Sequence, residues 1–274
     1  MRIDSHLHFW NYNSIKDAWI TDDMQIIQKD FLPKDFLPIL HAHQMDGCIA
    51  VQADQTDAET KFLLDIATQN EYIKGVVGWI DLKANNLQEK LHHYAQHKKL
   101  KGFRHIVQAE PAGFLLNKQF IQGVSLLSDN DYTYDLLINS NQLNEAIQFV
   151  DALPNQKIII DHCAKPQIRT KEIADWAVHL KAIAKAASVY CKLSGIITEA
   201  DWRCWKDSDI YPYFDIIFDA FGIDRILFGS DWPVMLLAGN YTEWLRLVDT
   251  YLQNFSQQEH DAVMGKNANK FYHL

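Results

Sequence analysis

Eight short runs of apolar and β-branched residues, spaced at fairly even intervals, narrow the possible folds of this chain more than its other features do. They begin at residues 2–3 and recur around residues 49–51, 76–80, 102–106, 134–138, 158–160, 189–193 and 226–228. Between most of them, apolar residues return at every third or fourth position, as in 58–69 and 170–187, which is the period of an amphipathic helix. Strands that alternate with helices predict a parallel sheet with right-handed crossovers.

The length of the chain favours closure of that sheet into a barrel. A (β/α)8 barrel typically needs about 250 residues, and this chain has 274, with no linker or low-complexity tract to divide it. We therefore predict a single α/β domain, residues 1–274, folded as a TIM barrel with its active site at the C-terminal ends of the strands. Periodicity alone leaves an open doubly wound sheet as the alternative. The irregular stretch 11–38 is expected to cover one mouth of the barrel.

Composition and charge exclude several classes of protein. Hydrophobic residues make up 48% and charged residues 22% of the chain, which is too apolar for a disordered protein. A net charge of −9 gives no attraction to the phosphates of nucleic acid. The chain has no run of 18 apolar residues, no apolar signal-peptide segment at its start and no C-x-x-C pair among four cysteines. We expect a cytoplasmic protein with reduced thiols and neither nucleic-acid nor membrane partners.

Two histidines end the first predicted strand. In His6-Leu7-His8, the period of two places both imidazoles on the same side, pointing into the barrel mouth. Alone, this pair is compatible with a ligand pair or with a hydrogen-bonded interior pair. His162 follows the sixth strand and Asp231 follows the eighth, so four polar side chains are expected to converge at one end of the barrel.

Three histidines and an aspartate suit two chemistries. The set His6, His8, His162 and Asp231 fits a single divalent cation, with Zn²⁺ favoured. Without metal, the imidazoles would polarise a carbonyl while Asp231 takes a proton from water as general base. The structural alternative for Asp231 is that it caps the helix after the eighth strand.

Further candidates to bind a substrate lie at other strand ends. Alternation in the fourth strand requires that Arg104 or His105 face inward, although a strand-end arginine also forms surface ion pairs. Gln52 ends the second strand. Lys192 in the seventh strand is either buried and functional or extends along its stem to solvent.

Aromatic residues and missing motifs complete the interpretation. Trp10, Trp19 and Trp232, near the mouth, suit a flat apolar or sugar-like ligand, or serve ordinary packing. Cys163, next to His162, is expected to pack outward or to lie in a loop rather than to act as a nucleophile. The chain lacks G-x-S-x-G, the phosphate-binding P-loop and the dinucleotide-binding G-x-G-x-x-G.

Motifs spread over nearly the whole chain resemble the amidohydrolase superfamily, in the amidohydrolase-related branch that contains sugar lactonases and 2-pyrone-4,6-dicarboxylate lactonase. They are the segments DSHLHFW (4–10), VQA (51–53) with ET (59–60), GWID (78–81), KGFRH (101–105), YDLL (134–137), DHCAKP (161–166), KLSG (192–195), FGSDWP (228–233) and NA (267–268).

The resemblance implies a distorted barrel that hydrolyses a lactone ring. Asp231 would activate water, and His6, His8 and His162 would bind one divalent metal or contact the carbonyl directly, since members with this ligand set include metal-independent ones. The lysine or glutamate that bridges two metals in binuclear amidohydrolases is absent from strand four, which makes a two-metal centre unexpected. By analogy, Arg104 and His105 would bind substrate hydroxyl or ring oxygens.

The substrate is expected to be a neutral sugar lactone. A dicarboxylate would need several arginines, and only Arg104 lies plainly at a strand end. The motifs FW after His8 and KGFRH resemble members that act on L-fucono- or L-rhamnono-lactone in carbohydrate catabolism. The alternatives are a metal-dependent nonoxidative decarboxylase, a dicarboxylate-type lactonase and a catalytically silent sugar-acid-binding barrel. The protein is expected to be a monomer or homodimer.

Overall fold

A computed structural model describes residues 1–274 and contains eight parallel strands in sequential order. The strands are β1 (Ile3–Leu7), β2 (Gly47–Val51), β3 (Ile73–Gly78), β4 (Leu100–His105), β5 (Thr133–Leu136), β6 (Ile158–Ile160), β7 (Val189–Leu193) and β8 (Ile226–Phe228). Each strand pairs in parallel with the next. An unbroken order from first to last is that of a barrel, whereas an open doubly wound sheet reverses its order at a switch point.

Helices follow the strands and surround the sheet. They are α1 (Pro33–Ala42), α2 (Asp57–Gln69), α3 (Leu87–Tyr94), α4 (Lys118–Ser128), α5 (Leu143–Asp151), α6 (Ala174–Ile183), α7 (Asp207–Phe221), α8 (Tyr241–Leu252), α9 (Gln257–Asp261) and α10 (Asn267–Tyr272). Short polar side chains start several of them: the Thr56 hydroxyl accepts from the Glu59 amide at α2, and the Asn240 side chain accepts from the Glu243 amide at α8. The predicted (β/α)8 barrel is confirmed.

The seam between β1 and β8 is closed by the residues that follow them. The amide of His8 donates to the carbonyl of Trp232 at 2.7 Å, and the amide of Asp231 donates to the carbonyl of His6 at 2.8 Å. The buried carboxylate of Asp4 accepts from the amide of Ser230 at 2.9 Å. These bonds fix the loop after β8 to the end of β1, which is where the candidate catalytic residues lie.

The interior of the barrel follows from the period of two along each strand. In β6, Ile159 packs in an interior cluster with Leu227, whereas Ile158 and Ile160 belong to the larger core between sheet and helices. Phe271 and Tyr272 of α10 join the interior cluster and close the N-terminal end of the barrel. Only the C-terminal end therefore stays open to a ligand.

Two segments differ from the sequence predictions. The helix expected at 170–187 spans Ala174–Ile183, because Lys171 has a left-handed backbone (φ +60°) that cannot belong to the helix. The stretch expected to be irregular over 11–38 contains a short 3₁₀ helix, Asp22–Ile27, and the start of α1, where Pro33 occupies the first turn. None of the helices is both long enough and apolar enough to cross a membrane.

Candidate active site

A cavity of about 300 Å³ opens at the C-terminal ends of the strands. His8, His162 and Asp231 line it, and His6 lies directly beneath, fully buried. The structure therefore brings together the four residues that the sequence singled out. Four larger grooves, of about 350 to 560 Å³, lie elsewhere and contain none of the four.

The carboxylate of Asp231 lies among three imidazoles. Its Oδ1 is 3.2 Å from His8 Nε2, 3.8 Å from His6 Nε2 and 3.9 Å from His162 Nε2. This oxygen is buried and has no hydrogen-bond partner. The Asp231 side chain caps no helix, since the short 3₁₀ helix Val234–Leu237 lacks a side-chain cap, so the capping alternative is wrong.

Asp231 is held in its charged form. Burial acts to raise the pKa of its carboxyl, but electrostatic interaction with the rings of His162 and His8 outweighs burial and lowers the pKa below its usual range. A buried carboxylate that is ionised at neutral pH and has a free oxygen is able to accept a proton from water.

The imidazole of His8 has a fixed orientation. Its Nδ1 lies 2.8 Å from the carbonyl oxygen of Val51, which only accepts, so Nδ1 carries a hydrogen. Its Nε2 then faces Asp231 Oδ1 at 3.2 Å and His6 Nε2 at 3.2 Å. A shared proton or a bound cation would satisfy both Nε2 and Oδ1.

His162 reaches the cavity from an unusual turn. Four consecutive non-glycine residues, 162–165, have φ between +46° and +57°, a left-handed conformation that costs roughly 1–2 kcal/mol per residue. The Nδ1 of His162 lies 2.9 Å from the hydroxyl of Ser194. Burial lowers the pKa of His162 to about 4, so its ring is neutral at pH 7. Cys163, in the same turn, is buried and donates its thiol to the carbonyl of Lys192 at 3.2 Å, in a loop as predicted.

A buried network of charges supports the site from below. Lys192 contacts Asp135, lies 3.0 Å from Asp161 Oδ1 and lies 3.1 Å from His6 Nδ1. Arg104 donates to Asp161 Oδ2 at 3.0 Å. All five side chains are almost completely buried, so each charge depends on its partners.

Burial and the pairing of opposite charges determine the pKa values in this network. Burial is the main cause that lowers the pKa of His6 well below its usual value, with Asp161 opposing and Lys192 assisting. Burial also raises the pKa of Asp135, to about 6. Asp161 goes the other way: burial would raise its pKa, but Lys192 and His6 hold it well below the usual range. His6 is thus a neutral imidazole above an ionised Asp161.

Asp135 and Asp161 were not among the sequence candidates. Asp161 directly precedes His162 at the end of β6, and Asp135 is an acidic residue in the middle of the short apolar strand β5. A charged residue inside a predicted buried strand needs a partner of opposite charge. The lysine in the apolar strand β7, Lys192, is the sequence signal that pointed to such a partner for Asp135.

The predicted substrate-binding residues divide into two groups. Arg104 and Trp10 line the cavity, with Trp19 beside them. Arg104 is only 3% exposed, so the alternative of a surface ion pair is wrong. Lys192 is fully buried and does not extend to solvent.

The other four predicted substrate-binding residues do not line the cavity, for reasons that the contacts give. His105 faces away from the barrel axis, donates to Glu110 at 2.8 Å and stacks on Phe114. Gln52 donates to the carbonyl of Arg104 at 3.1 Å, and Lys192 lies beneath His6. Trp232 packs with rings of the loop after β1 and of α1, as ordinary core. The structure therefore places none of these four side chains on the cavity wall, contrary to the prediction that they contact the substrate directly.

The four predicted metal ligands divide between two overlapping groups, the second of which also contains Asp161. The ligand atoms of His6, His8 and Asp231 lie within 4.8 Å of one another, as do those of His6, Asp161 and His162. The unpartnered Asp231 Oδ1 and the nitrogen and oxygen donors of the first group fit a divalent cation of the zinc type.

Comparison with known proteins decides the family. The family model described as amidohydrolase matches residues 3–274. The chain belongs to the amidohydrolase family. Two relatives of this amidohydrolase are L-fucono-1,5-lactonases: one from Burkholderia multivorans, 39% identical with 100% of this chain and 96% of the relative covered, and one from Burkholderia ambifaria, 32% identical with 100% and 96% covered.

A solved structure resembles this amidohydrolase over its whole length. It is an amidohydrolase from Burkholderia multivorans with bound zinc, 39% identical, with a TM-score of 0.97 and coverage of 100% of this chain and 99% of that one. The resemblance deduced from the motifs is thereby confirmed, from β1 to α10.

Proposed function

We propose that this protein is a lactonase that opens a neutral sugar lactone, of the L-fucono- or L-rhamnono-lactone type, to the sugar acid. The observation that carries this proposal is the free, buried oxygen of Asp231 beside three imidazoles in a cavity of about 300 Å³. The two L-fucono-1,5-lactonases, which this chain matches over nearly their full length, support the same reaction.

The reaction begins with Asp231. Its carboxylate removes a proton from water, and the water oxygen bonds to the lactone carbonyl carbon while the carbonyl π electrons move to oxygen. The tetrahedral intermediate then collapses: the bond from that carbon to the ring oxygen breaks, and the ring oxygen takes the proton from Asp231. The product carboxylic acid loses its own proton to solvent, so lactone and water become a hydroxy-carboxylate and one proton.

The surrounding side chains orient the substrate and polarise its carbonyl group. His162 is neutral and positioned by Ser194, and we assign it to the substrate carbonyl. Arg104, whose Nη1 lies 3.3 Å from His6 Nε2, stiffens the floor of the cavity and presents its guanidinium to a substrate hydroxyl. The indole rings of Trp10 and Trp19 form an apolar wall for the face of a deoxysugar ring.

A single divalent cation, with Zn²⁺ favoured, would be held by His6, His8 and Asp231. When bound, it would act as a Lewis acid on the carbonyl. Elemental analysis, with activity measured after chelation and after zinc is restored, separates the metal-dependent from the metal-independent form of the enzyme.

A neutral substrate fits the charges of the cavity better than a dicarboxylate does. Only one arginine lines the cavity, and Arg104 already donates to Asp161 and to the carbonyl of Gln52. Two carboxylates would therefore lack bidentate partners. No observation favours nonoxidative decarboxylation or a silent binding barrel.

A panel of aldonolactones tests the proposal. Acid release is measured for L-fucono-, L-rhamnono-, D-galactono- and D-glucono-lactones, in both ring sizes where they exist, against 2-pyrone-4,6-dicarboxylate. We expect turnover of one or more deoxysugar lactones and none of the dicarboxylate. Absence of turnover on every aldonolactone would overturn the proposed substrate class.

We also propose that residues 1–274 act as one catalytic domain in the cytoplasm. Strands and helices occupy the chain from Ile3 to Tyr272 around one barrel. All four cysteines are free thiols, which supports a reducing compartment. Gel filtration with light scattering distinguishes the two expected states, monomer and homodimer.

A further inference from the structure

Lys165 is a cation of the cavity wall that the reaction described above does not use. It lies on the same cavity as His162 and Asp231. Its Nζ is 3.6 Å from Glu199 Oε1, an ion pair longer than an ordinary hydrogen bond. Arg104, the other cation of this wall, already donates to two partners. Lys165 therefore keeps its hydrogen-bond donors available for a ligand.

The backbone holds Lys165 at the cavity at an energetic cost. Residues 162–165 form one left-handed turn, closed by a bond of 2.9 Å from the amide of Lys165 to the carbonyl of His162. In a turn of this kind, residues three apart lie on the same side. Cys163 and Ala164, between them, are fully buried, and the carbonyl of Cys163 accepts from Trp176 Nε1 at 2.8 Å. The strained turn presents His162 and Lys165 together to the cavity, and strain of this kind is concentrated at functional sites.

Lys165 and Asp231 line the same cavity without being paired. No ion pair within 4.0 Å joins Lys165 to Asp231, and the acidic partner of Lys165 at that distance is Glu199. Base and ammonium therefore both line the space that a ligand would occupy.

We propose that Lys165 is the anion-binding residue of the site. This inference rests on the proposed function, in which a neutral lactone becomes a carboxylate. The charge develops first on the former carbonyl oxygen of the tetrahedral intermediate and then on the carboxylate of the sugar acid. An ammonium with free donors stabilises an oxyanion more than it stabilises a neutral carbonyl, which lowers the barrier and also retains the product.

Two substitutions with opposite expected effects on the affinity for the sugar acid test this role of Lys165. Lys165→Met removes the charge and keeps most of the volume, so we expect the sugar acid to bind at least tenfold more weakly and kcat/KM for the lactone to fall at least tenfold. Glu199→Gln removes the carboxylate that competes for the ammonium, so the acid should bind more tightly. Loss of packing does not produce tighter binding. Lys165→Arg, which keeps the charge, should restore part of the affinity.

Calorimetry with L-fuconate, L-rhamnonate and their uncharged 1,5-anhydroalditol analogues provides the readout. Binding of the uncharged analogues should be the same in wild type and Lys165→Met, whereas a merely structural role would weaken acid and analogue alike. The matched control is Lys171→Met, since Lys171 also has a left-handed backbone (φ +60°) but an exposed side chain that lines no part of this cavity. If Lys165→Met folds poorly, Lys165→Gln replaces it.

The outcomes separate the two proposals. Normal turnover by the wild type, together with unchanged acid affinity in Lys165→Met and Glu199→Gln, would overturn the role of Lys165 and leave the lactonase intact. A wild type that turns over no aldonolactone would overturn the proposed function. In that case, acid binding still decides whether Lys165 binds anions, because calorimetry needs no turnover.

Discussion

The ammonium of Lys192 lies 3.1 Å from Nδ1 of His6, which joins the seventh strand to the first beneath the candidate active site. The same ammonium contacts Asp135 and Asp161, and all of these side chains are fully buried. Removal of the cation leaves two carboxylates without their main partner in a region that water does not reach.

Lys192→Met should therefore destabilise the fold strongly. We expect a loss of about 3–5 kcal/mol in the free energy of unfolding, the range for breaking one partner out of a buried ion pair. Urea denaturation followed by circular dichroism measures it. The control is Lys181→Met, which removes an exposed partner of Asp219 and should cost less than about 1 kcal/mol. Equal losses in the two variants would contradict the buried network.

Asp231→Asn should abolish the general base while the fold and the cavity are kept. We expect kcat on the best lactone to fall at least about a hundredfold, as is typical when a general base is removed, with the affinity for the sugar acid largely unchanged. Steady-state acid release and calorimetry measure the two quantities. Asp65→Asn, on the exposed side of α2, is the matched control and should behave as wild type. A fully active Asp231→Asn enzyme would rule out the mechanism.

Gly195→Ala should damage catalysis through a steric clash. Gly195 has φ +60°, and a methyl group on it would lie 2.6 Å from His162 Nδ1 and 2.7 Å from Asp231 Oδ2. We expect a drop in kcat of tenfold or more, because both side chains must move. Gly113→Ala is the control: Gly113 also has a positive φ, +89°, but nothing lies within 4 Å of the added carbon. It should lose only about 1–2 kcal/mol of stability from backbone strain, with normal kcat.

Stability should fall with acidification because of His162. Its pKa is about 4 in the folded protein and 6.5 in an unperturbed histidine, so the unfolded chain binds more protons between these values. The stabilisation is complete above pH 6.5 and is lost as the pH falls towards 4. Asp4, whose pKa burial raises to about 6, acts in the opposite direction: its contribution is present below its usual pKa and lost as the pH rises through 6.

Comparison of variants isolates the contribution of His162 from that of Asp4. Between pH 7 and pH 5, the wild type should lose about 2 kcal/mol more stability than His162→Gln. Chemical denaturation in the presence of a chelator gives both slopes without interference from metal. Parallel slopes would show that His162 is not neutralised by burial.

The residues that the sequence predicted best are those whose position follows from strand periodicity. His6 and His8 share a face because they are two residues apart, at the end of β1 and just beyond it, and Asp231 follows β8 at the same end of a parallel barrel. Alternation also required that one of Arg104 and His105 face inward. It could not say which, because the register of β4 is set by its contacts with β3 and β5.

The residues that the sequence missed depend on local backbone conformation or on long-range pairing. The left-handed turn that carries His162 and Lys165 contains no glycine, so no residue type announces it. Asp135 and Asp161 matter through Lys192, which lies in another strand. Trp232 is followed by Pro233 and resembles a mouth residue in sequence, yet its ring packs against Phe36 of α1 at a centroid distance of 5.1 Å.

The seam between β1 and β8 has a consequence for how this protein acquires activity. The base, Asp231, and two of the imidazoles beside it, those of His6 and His8, come from opposite ends of the chain and meet only where the loop after β8 bonds to the end of β1. A nascent chain in which residue 231 has not yet emerged from the ribosome presents the histidines but no base. Turnover during refolding should therefore report the last step of barrel assembly, later than the signals from helices and from tryptophan burial.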